Sequence, residues 1–537
     1  MNHTPPEPTP PKSTLNAKQR GVASSLLTIA VVVGVFLVVA GSFIVAQVIP
    51  NRAVFDQRHY HQPTIEAFAK DWPSIDVWDY LSATTPGYHW VLAGFVKVFG
   101  AGVAGLQVVS MTISAGLFAL LGWMVSRGMG SQKFKSGTQT TLTHPQPLPG
   151  GGTLKANRFT FAAALLCLPI LCCSYFMVGG IALLPDNAGW LGVCAMLALA
   201  LHAKSMRVLC GVGGLALLAL VLTRQVHVWT GGLLVLAAWL GVASDANQRV
   251  SFDFSAKRFA RAAVAVVACV PAIIGVALFV RYWGGLVPPR FQMQYPPKPV
   301  SQFFVSPSPA FILCICAIFG IVLCPFWWRG LRALWVRMSG VLGVVIIASL
   351  VIAIVPATNF DYLGGRRTGL WNLTQHFPVL FDRTSVLIAG LAPIGGVVLA
   401  SFFVSLHERG KTRDAILLLA TLGGYALVLT ASNEVWQRYV EPLVLVVMML
   451  MCARVGFTPL TSEQVLEKQS FWHGTLARRA SVVALSIALL AITFKTMSVG
   501  LEKLSDPPPP PITADHIGPT PPVLLPRPEK PVGKLFW

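Results

Sequence analysis

The sequence predicts an all-α protein, a polytopic bundle of about thirteen transmembrane helices with an enlarged first outer loop. Three observations predict it. Of the 537 residues, 54% are hydrophobic and 12% charged, where a soluble domain carries roughly 25% charged residues. Apolar runs of about 18 residues or more recur along nearly the whole chain, and each can span a hydrocarbon core ~30 Å thick. Basic residues fall mainly in the short polar segments between those runs, as the positive-inside rule expects.

The elements follow in chain order. Residues 1–21 are proline-rich and basic and read as a disordered cytoplasmic N-terminus. The run 22–49 exceeds a signal-peptide core of roughly 7–15 residues, and further runs follow it, so it is an uncleaved first span. The remaining spans are expected at 102–126, 159–181, 188–203, 208–222, 226–243, 262–283, 308–327, 338–356, 383–406, 414–431, 442–453 and 480–498. Together they make one membrane domain, 22–498. Inner loops are marked by Lys204 and Arg207, by Arg329, Arg332 and Arg337, and by Arg409, Lys411 and Arg413. The outer face then receives the first loop 50–101, loops at 284–307 and 357–382, and a proline-rich tail 499–537 in which Pro507–Pro511 favour polyproline II. The inner segment 130–157, with Thr-His-Pro-Gln-Pro-Leu-Pro-Gly-Gly-Gly from Thr143, has no periodicity and reads as a tolerated insertion. Residues 87–99 form an amphipathic surface helix with Trp90, Phe95 and Phe99 as anchors.

Composition also removes function classes. The net charge of +20 is distributed as loops of a membrane protein are, without zinc spacing or stacking aromatics, so no nucleic-acid partner is expected. Ten cysteines all lie in or beside apolar runs and read as small buried hydrophobes rather than a disulfide framework.

Chemistry concentrates on the outer face. The first loop carries Phe55-Asp56-Gln57-Arg58-His59-Tyr60-His61-Gln62-Pro63, then Trp78-Asp79-Tyr80-Leu81-Ser82-Ala83-Thr84-Thr85-Pro86-Gly87-Tyr88-His89-Trp90. Asp56, just beyond the first span, stands where an aqueous acceptor would meet a lipid-anchored donor, the position of a general base. His59 and His61 lack a third convergent ligand, so no metal is assigned. Asp186, in the turn Leu184-Pro185-Asp186-Asn187, is either a functional charge near the membrane or the N-cap of the next span. Arg224-Gln225, Arg366-Arg367 and Arg438 stand at outer boundaries, against the positive-inside bias. A guanidinium fork suits phosphate oxygens; the plainer alternative is snorkelling or an ion pair with Asp361, Glu434 or Glu441.

On these motifs the chain resembles the GT-C glycosyltransferases, and within them the α-1,2-glucosyltransferase family that completes the dolichol-linked oligosaccharide. Asp56 is similar to the family's first acid, and His61 and Pro63 to its His-x-Pro, with one residue inserted. Trp78, Asp79, Thr84, Thr85, Pro86 and Gly87 match its Trp-Asp and Thr-Thr-Pro-Gly signature, here a substrate loop. Pro185-Asp186 is similar to its Thr-Asp turn, Arg224, Gln225 and Trp229 to its Arg-Gln stretch, and Arg438-Tyr439 to its late Arg-Tyr. Gln57 departs from the pattern, standing where the family has Glu.

The resemblance implies a GT-C-like fold and a hexosyltransferase. A hexose, glucose in the family, passes from a polyprenyl-phosphate donor to a glycan or lipid-linked acceptor by direct displacement, without a nucleotide at the site; no cofactor is assigned, and dependence on a divalent metal stays open. Asp56, with Asp186 and His61, would serve catalysis; Arg224, Gln225, Arg438 and Arg366 would hold the donor phosphate. The insert and the proline-rich tail favour a bacterial inner membrane over the endoplasmic reticulum. Two other classes share the topology: a lipid-linked glycan polymerase or ligase, and a transporter or flippase, which would place charges at the bilayer midplane. A noncatalytic membrane protein would not require His, Asp and Arg gathered on one face.

Overall fold

In hydrocarbon every backbone amide has to be satisfied within its own segment, so apolar runs of this kind form helices. A computed structural model of the protein describes residues 17–130, 151–243, 254–294, 305–361, 366, 368–432, 435–457, 474–498 and 500–503, and the chain there is predominantly helical. Each of the expected runs overlaps at least one helix. Six helices are long and apolar enough to cross a membrane, or up to eight if each of two bent pairs counts as one span. The helices 208–223, 225–240 and 339–354 are apolar but shorter. The architecture is therefore that of a multi-pass membrane protein.

Burial separates the helices into layers that hydropathy alone does not distinguish. Ala256–Trp283 exposes Val264, Val267, Ile273, Ile274 and Leu278, a surface suited to lipid. Gln437–Val455 is buried at every position from Val440 to Val455, so it is an inner axis of the bundle, wrapped by Val103–Gly130, Gly151–Leu171 and Ser308–Val322. The ten cysteines are free, buried except for half-buried Cys324.

Several sequence expectations are corrected. The run 159–181 breaks into Gly151–Leu171 and Ser174–Ile181, bent by 75°. The run 308–327 ends at Val322, and Cys324–Arg337 leaves it at 106°. Pro325, Phe326 and Trp327 had lengthened the apolar count, but they open a new helix whose other face carries Arg329, Arg332 and Arg337. Residues 151–157 of the supposed insert are helical, while 131–150 lie outside the described residues, as do 1–16 and most of the tail. Residues 501–503 of that tail form a strand antiparallel to Val48–Pro50. Asp186 is not an N-cap: Pro185 occupies that position and Asp186 begins the helix Asp186–His202. The first outer loop is itself largely helical, through Asn51–Asp56, the π-helical turn Gln57–His61, Gln62–Asp71 and Gly87–Phe99.

The polar segments sort into two groups that bond like with like. Thr85 reaches Val221 and Gln225, Gln225 reaches Leu286, and Trp371 reaches Val435. Lys411 reaches Gly128 and Arg454, and Arg413 reaches Gly241, Leu201 and Ala200. The first group is the set assigned outside by charge, the second the set assigned inside. A reporter active only outside the cytoplasm should therefore work when fused after Lys97 or Leu373 and stay silent after Lys135 or Arg258. Activity at Lys135 would invert the assignment.

Candidate functional site

The site assembles from segments far apart in sequence. Asn51–Asp56 ends on Asp56, whose Oδ2 accepts a hydrogen bond from Arg438 Nη1 at 2.7 Å. Arg438, in the first turn of Gln437–Val455, also donates to the Tyr439 hydroxyl at 2.9 Å. Its guanidinium lies 4.3 Å from the Trp436 ring centroid and 5.0 Å from that of Tyr439. The Arg224 guanidinium, which pairs with Asp186, lies 5.3 Å from the same ring centroid. Two Arg–carboxylate pairs thus border one tyrosine ring. Both guanidiniums keep a buried Nε–H with no partner among the described residues. A buried donor left unpaired costs about 1–3 kcal/mol, so this pair of orphans is poised for an incoming acceptor.

Extended backbone at Arg224 (φ −151°) ends the helix Gly213–Thr223 and turns the side chain into the cluster. Gly189 makes room: a Cβ there would lie 3.0 Å from Arg224 Cδ and 3.1 Å from His227 Nε2. His61 completes the group through the electrostatic reach of Asp56, Asp186, Arg438 and Arg224. Burial outweighs the two carboxylates and pushes its imidazole down to about 4, so it is neutral at pH 7. Its Nδ1 lies 2.9 Å from Nε2 of His89, the rings stacked at 5.2 Å. His89 is pushed further down, by burial first and His61 second. For Asp186, burial favours the neutral acid, but Arg224, Arg438 and His61 together with the Arg224 hydrogen bond outweigh it and hold the carboxyl below its usual range.

Gln225 braces the turn that precedes Gly87: its Oε1 accepts from Thr85 N at 2.9 Å, and its Nε2 donates to the Ala83 and Leu286 carbonyls, each at 2.9 Å. The Thr85 hydroxyl donates to the Val221 carbonyl at 2.7 Å. Gly87 follows, and only glycine fits, since a Cβ would come 2.5 Å from the Leu222 oxygen. Pro86 caps Gly87–Phe99. The Thr84 carbonyl accepts from Tyr80 Oη at 2.5 Å, and its hydroxyl lies 3.0 Å from Ser82 Oγ. Buried Trp78 packs edge-on against Tyr282. Asp79 pairs with Arg290 at 3.0 Å on the wall of a cavity of about 320 Å³, lined also by Asp71, Asp76, Phe68 and Tyr80. Gln57 is buried and accepts from Leu183 N at 3.0 Å, tying the first outer segment to the turn that carries Asp186.

Arg366 makes its contacts elsewhere, donating to Asp361 at 3.0 Å and to the Asn359 carbonyl at 2.9 Å. That is the ion-pair alternative. Arg367 lies outside the described residues. No group of His, Cys, Asp and Glu among the described residues has the arrangement of a metal site. Tyr439, matched with Arg438 in the late Arg-Tyr, joins the site, and so do His89 and Trp436, which the sequence reading does not assign to it; the signal was present for His89, which directly follows the Thr-Thr-Pro-Gly-Tyr motif.

No protein-family model, no curated protein and no solved structure matches this chain significantly.

Proposed function

We propose that the protein is a GT-C-like membrane hexosyltransferase that uses a polyprenyl-phosphate sugar as donor at the outer face and transfers the sugar to a glycan or lipid-linked acceptor. The observation that carries the reading is the pair of Arg–carboxylate couples around Tyr439, each with an unpaired buried guanidinium N–H, beside His61. A phosphodiester needs cationic forks at the membrane boundary, and an acceptor hydroxyl needs a carboxylate within hydrogen-bond reach.

In this reading the resting charges balance, Asp56 and Asp186 against Arg438 and Arg224. The donor phosphodiester brings one further negative charge and competes with Asp56 for Arg438. Its arrival releases the Asp56 carboxylate to take the acceptor proton. The acceptor oxygen then bonds the anomeric carbon as the carbon–oxygen bond to phosphate breaks. The leaving phosphate gains a second negative charge, held by Arg224 and Arg438, while protonated Asp56 becomes neutral. Fixed cations aimed at charge that develops in the transition state are commonly the largest catalytic contribution. The acceptor glycan would approach through the cavity beside Gln62–Asp71, whose aspartates and aromatic rings suit sugar hydroxyls and faces.

Membranes containing the protein, offered radiolabelled polyprenyl-phosphate hexoses, should form a labelled glycan product that membranes lacking it do not. Absence of transfer from every hexose, with the labelled donor carried intact across the bilayer instead, would favour the transporter class.

A further inference from the structure

A second polar site stands in the group of segments assigned inside, far from the proposed chemistry in the chain's connectivity. The helix Cys324–Arg337 departs from its preceding span at 106°, close to perpendicular. It is amphipathic: Phe326, Trp327, Gly330 and Leu334 are buried, whereas Trp328, Trp335 and Val336 are exposed. Gly330 seats it on Val386–His407, for a Cβ there would lie 1.9 Å from the Ser401 oxygen. Arg478 pins its start, donating to the Pro325 carbonyl at 3.1 Å and to Gly456 at 2.7 Å, with its guanidinium 5.6 Å from the Phe326 ring. A helix turned off a span, with tryptophans outward and arginines beside them, has the form of an interfacial helix.

Three arginines gather at this corner. Arg329, Arg409 and Arg478 lie within electrostatic reach of one another. Among the described residues none of the three forms an ion pair with a carboxylate. Exposed Glu408, next to Arg409 in the chain, acts on it electrostatically without a direct ion pair among the described residues. Arg409 Nη1 donates to the Ser405 carbonyl, but its Nη2 and the Nη1 of Arg329 are buried without a partner among the described residues. Burial, and then Arg329, push the Arg409 guanidinium down to about 10, against the opposing pull of Glu408. Like charges held together around unpaired donors call for an anion, and the exposed tryptophans next to them call for acyl chains.

We infer that Arg329 and Arg409, set by Arg478 beside the interfacial helix, form a binding site for the phosphate of an anionic phospholipid headgroup of the inner leaflet. Charge complementarity selects the headgroup, and the outward Trp328 and Trp335 lie where its chains would run.

The test is lipid binding to the purified full-length protein in mild detergent, titrated with fluorescent phosphatidylglycerol and with fluorescent phosphatidylcholine of the same chain length. The expected result is saturable phosphatidylglycerol binding, roughly tenfold or more tighter than phosphatidylcholine, and loss of that preference in Arg329→Gln/Arg409→Gln. Equal binding of the two lipids by the parent protein overturns the proposal whether or not the variant folds. An unchanged preference in a monodisperse variant overturns it as well. Inorganic phosphate at millimolar concentration should leave lipid binding intact; displacement by it would identify the occupant as a soluble anion and sink the lipid assignment.

Discussion

Asp56→Asn is expected to lower turnover by about a hundredfold or more, the loss of general-base assistance worth 10²–10⁴ in rate. Asparagine keeps the size and can still accept the hydrogen bond that Arg438 Nη1 gives Asp56 at 2.7 Å, so the position of Arg438 should survive. The carboxylate is 22% exposed at the end of a short helix, and its replacement by an amide takes nothing from the apolar core; insertion and yield should match the parent. Rate measured against donor and acceptor concentration separates the possible roles. A base gives a fall in turnover at saturating donor. A residue that merely steadies Arg438 gives a small change confined to the donor concentration needed. Near-normal turnover would pass the base role to Asp186, which faces the same cluster, before Asp79, whose carboxylate is engaged by Arg290.

The sequence and the structure meet most closely where a charge borders an apolar run. Asp56, Asp186, Arg224 and Arg438 each stand near the end of such a run, and the packed helices then carry them to one place. What brings Arg224 to Asp186, or Gln225 to Ala83 and Leu286, is invisible to local pattern: those partners stand 38, 142 and 61 residues away. Hydropathy likewise cannot separate Gln437–Val455, buried along nearly all its length, from Ala256–Trp283, which faces outward. Both compositions are apolar, and only packing tells protein from lipid as the neighbour. The helix Cys324–Arg337 was hidden for a related reason. Its first residues extend an apolar run, and its amphipathic period appears only once the run is known to stop at Val322.

Arg224→Ala is expected to weaken both donor affinity and rate, and Arg224→Lys to weaken affinity while sparing part of the rate. Lysine keeps the charge but loses the planar fork and the face-on contact with Tyr439, where the guanidinium lies 5.3 Å from the ring centroid. Alanine does more than remove a phosphate ligand, because Asp186 is left beside the membrane boundary without its partner. The pair is only partly buried, with side chains 13% and 21% exposed, so its loss falls short of the roughly 3–5 kcal/mol seen for fully buried pairs. The double variant Arg224→Ala/Asp186→Asn removes the stranded charge and restores local neutrality. If the activity loss of Arg224→Ala came from misfolding around Asp186, the double variant would recover it. If Arg224 holds the phosphate, the double variant should refold as well as the parent and remain impaired for donor. Should Arg224 touch the phosphate only as the bond breaks, donor affinity would survive in both variants and turnover alone would fall. Parent-like kinetics in Arg224→Ala would remove Arg224 from the donor site altogether and leave Arg438 as the phosphate's cation.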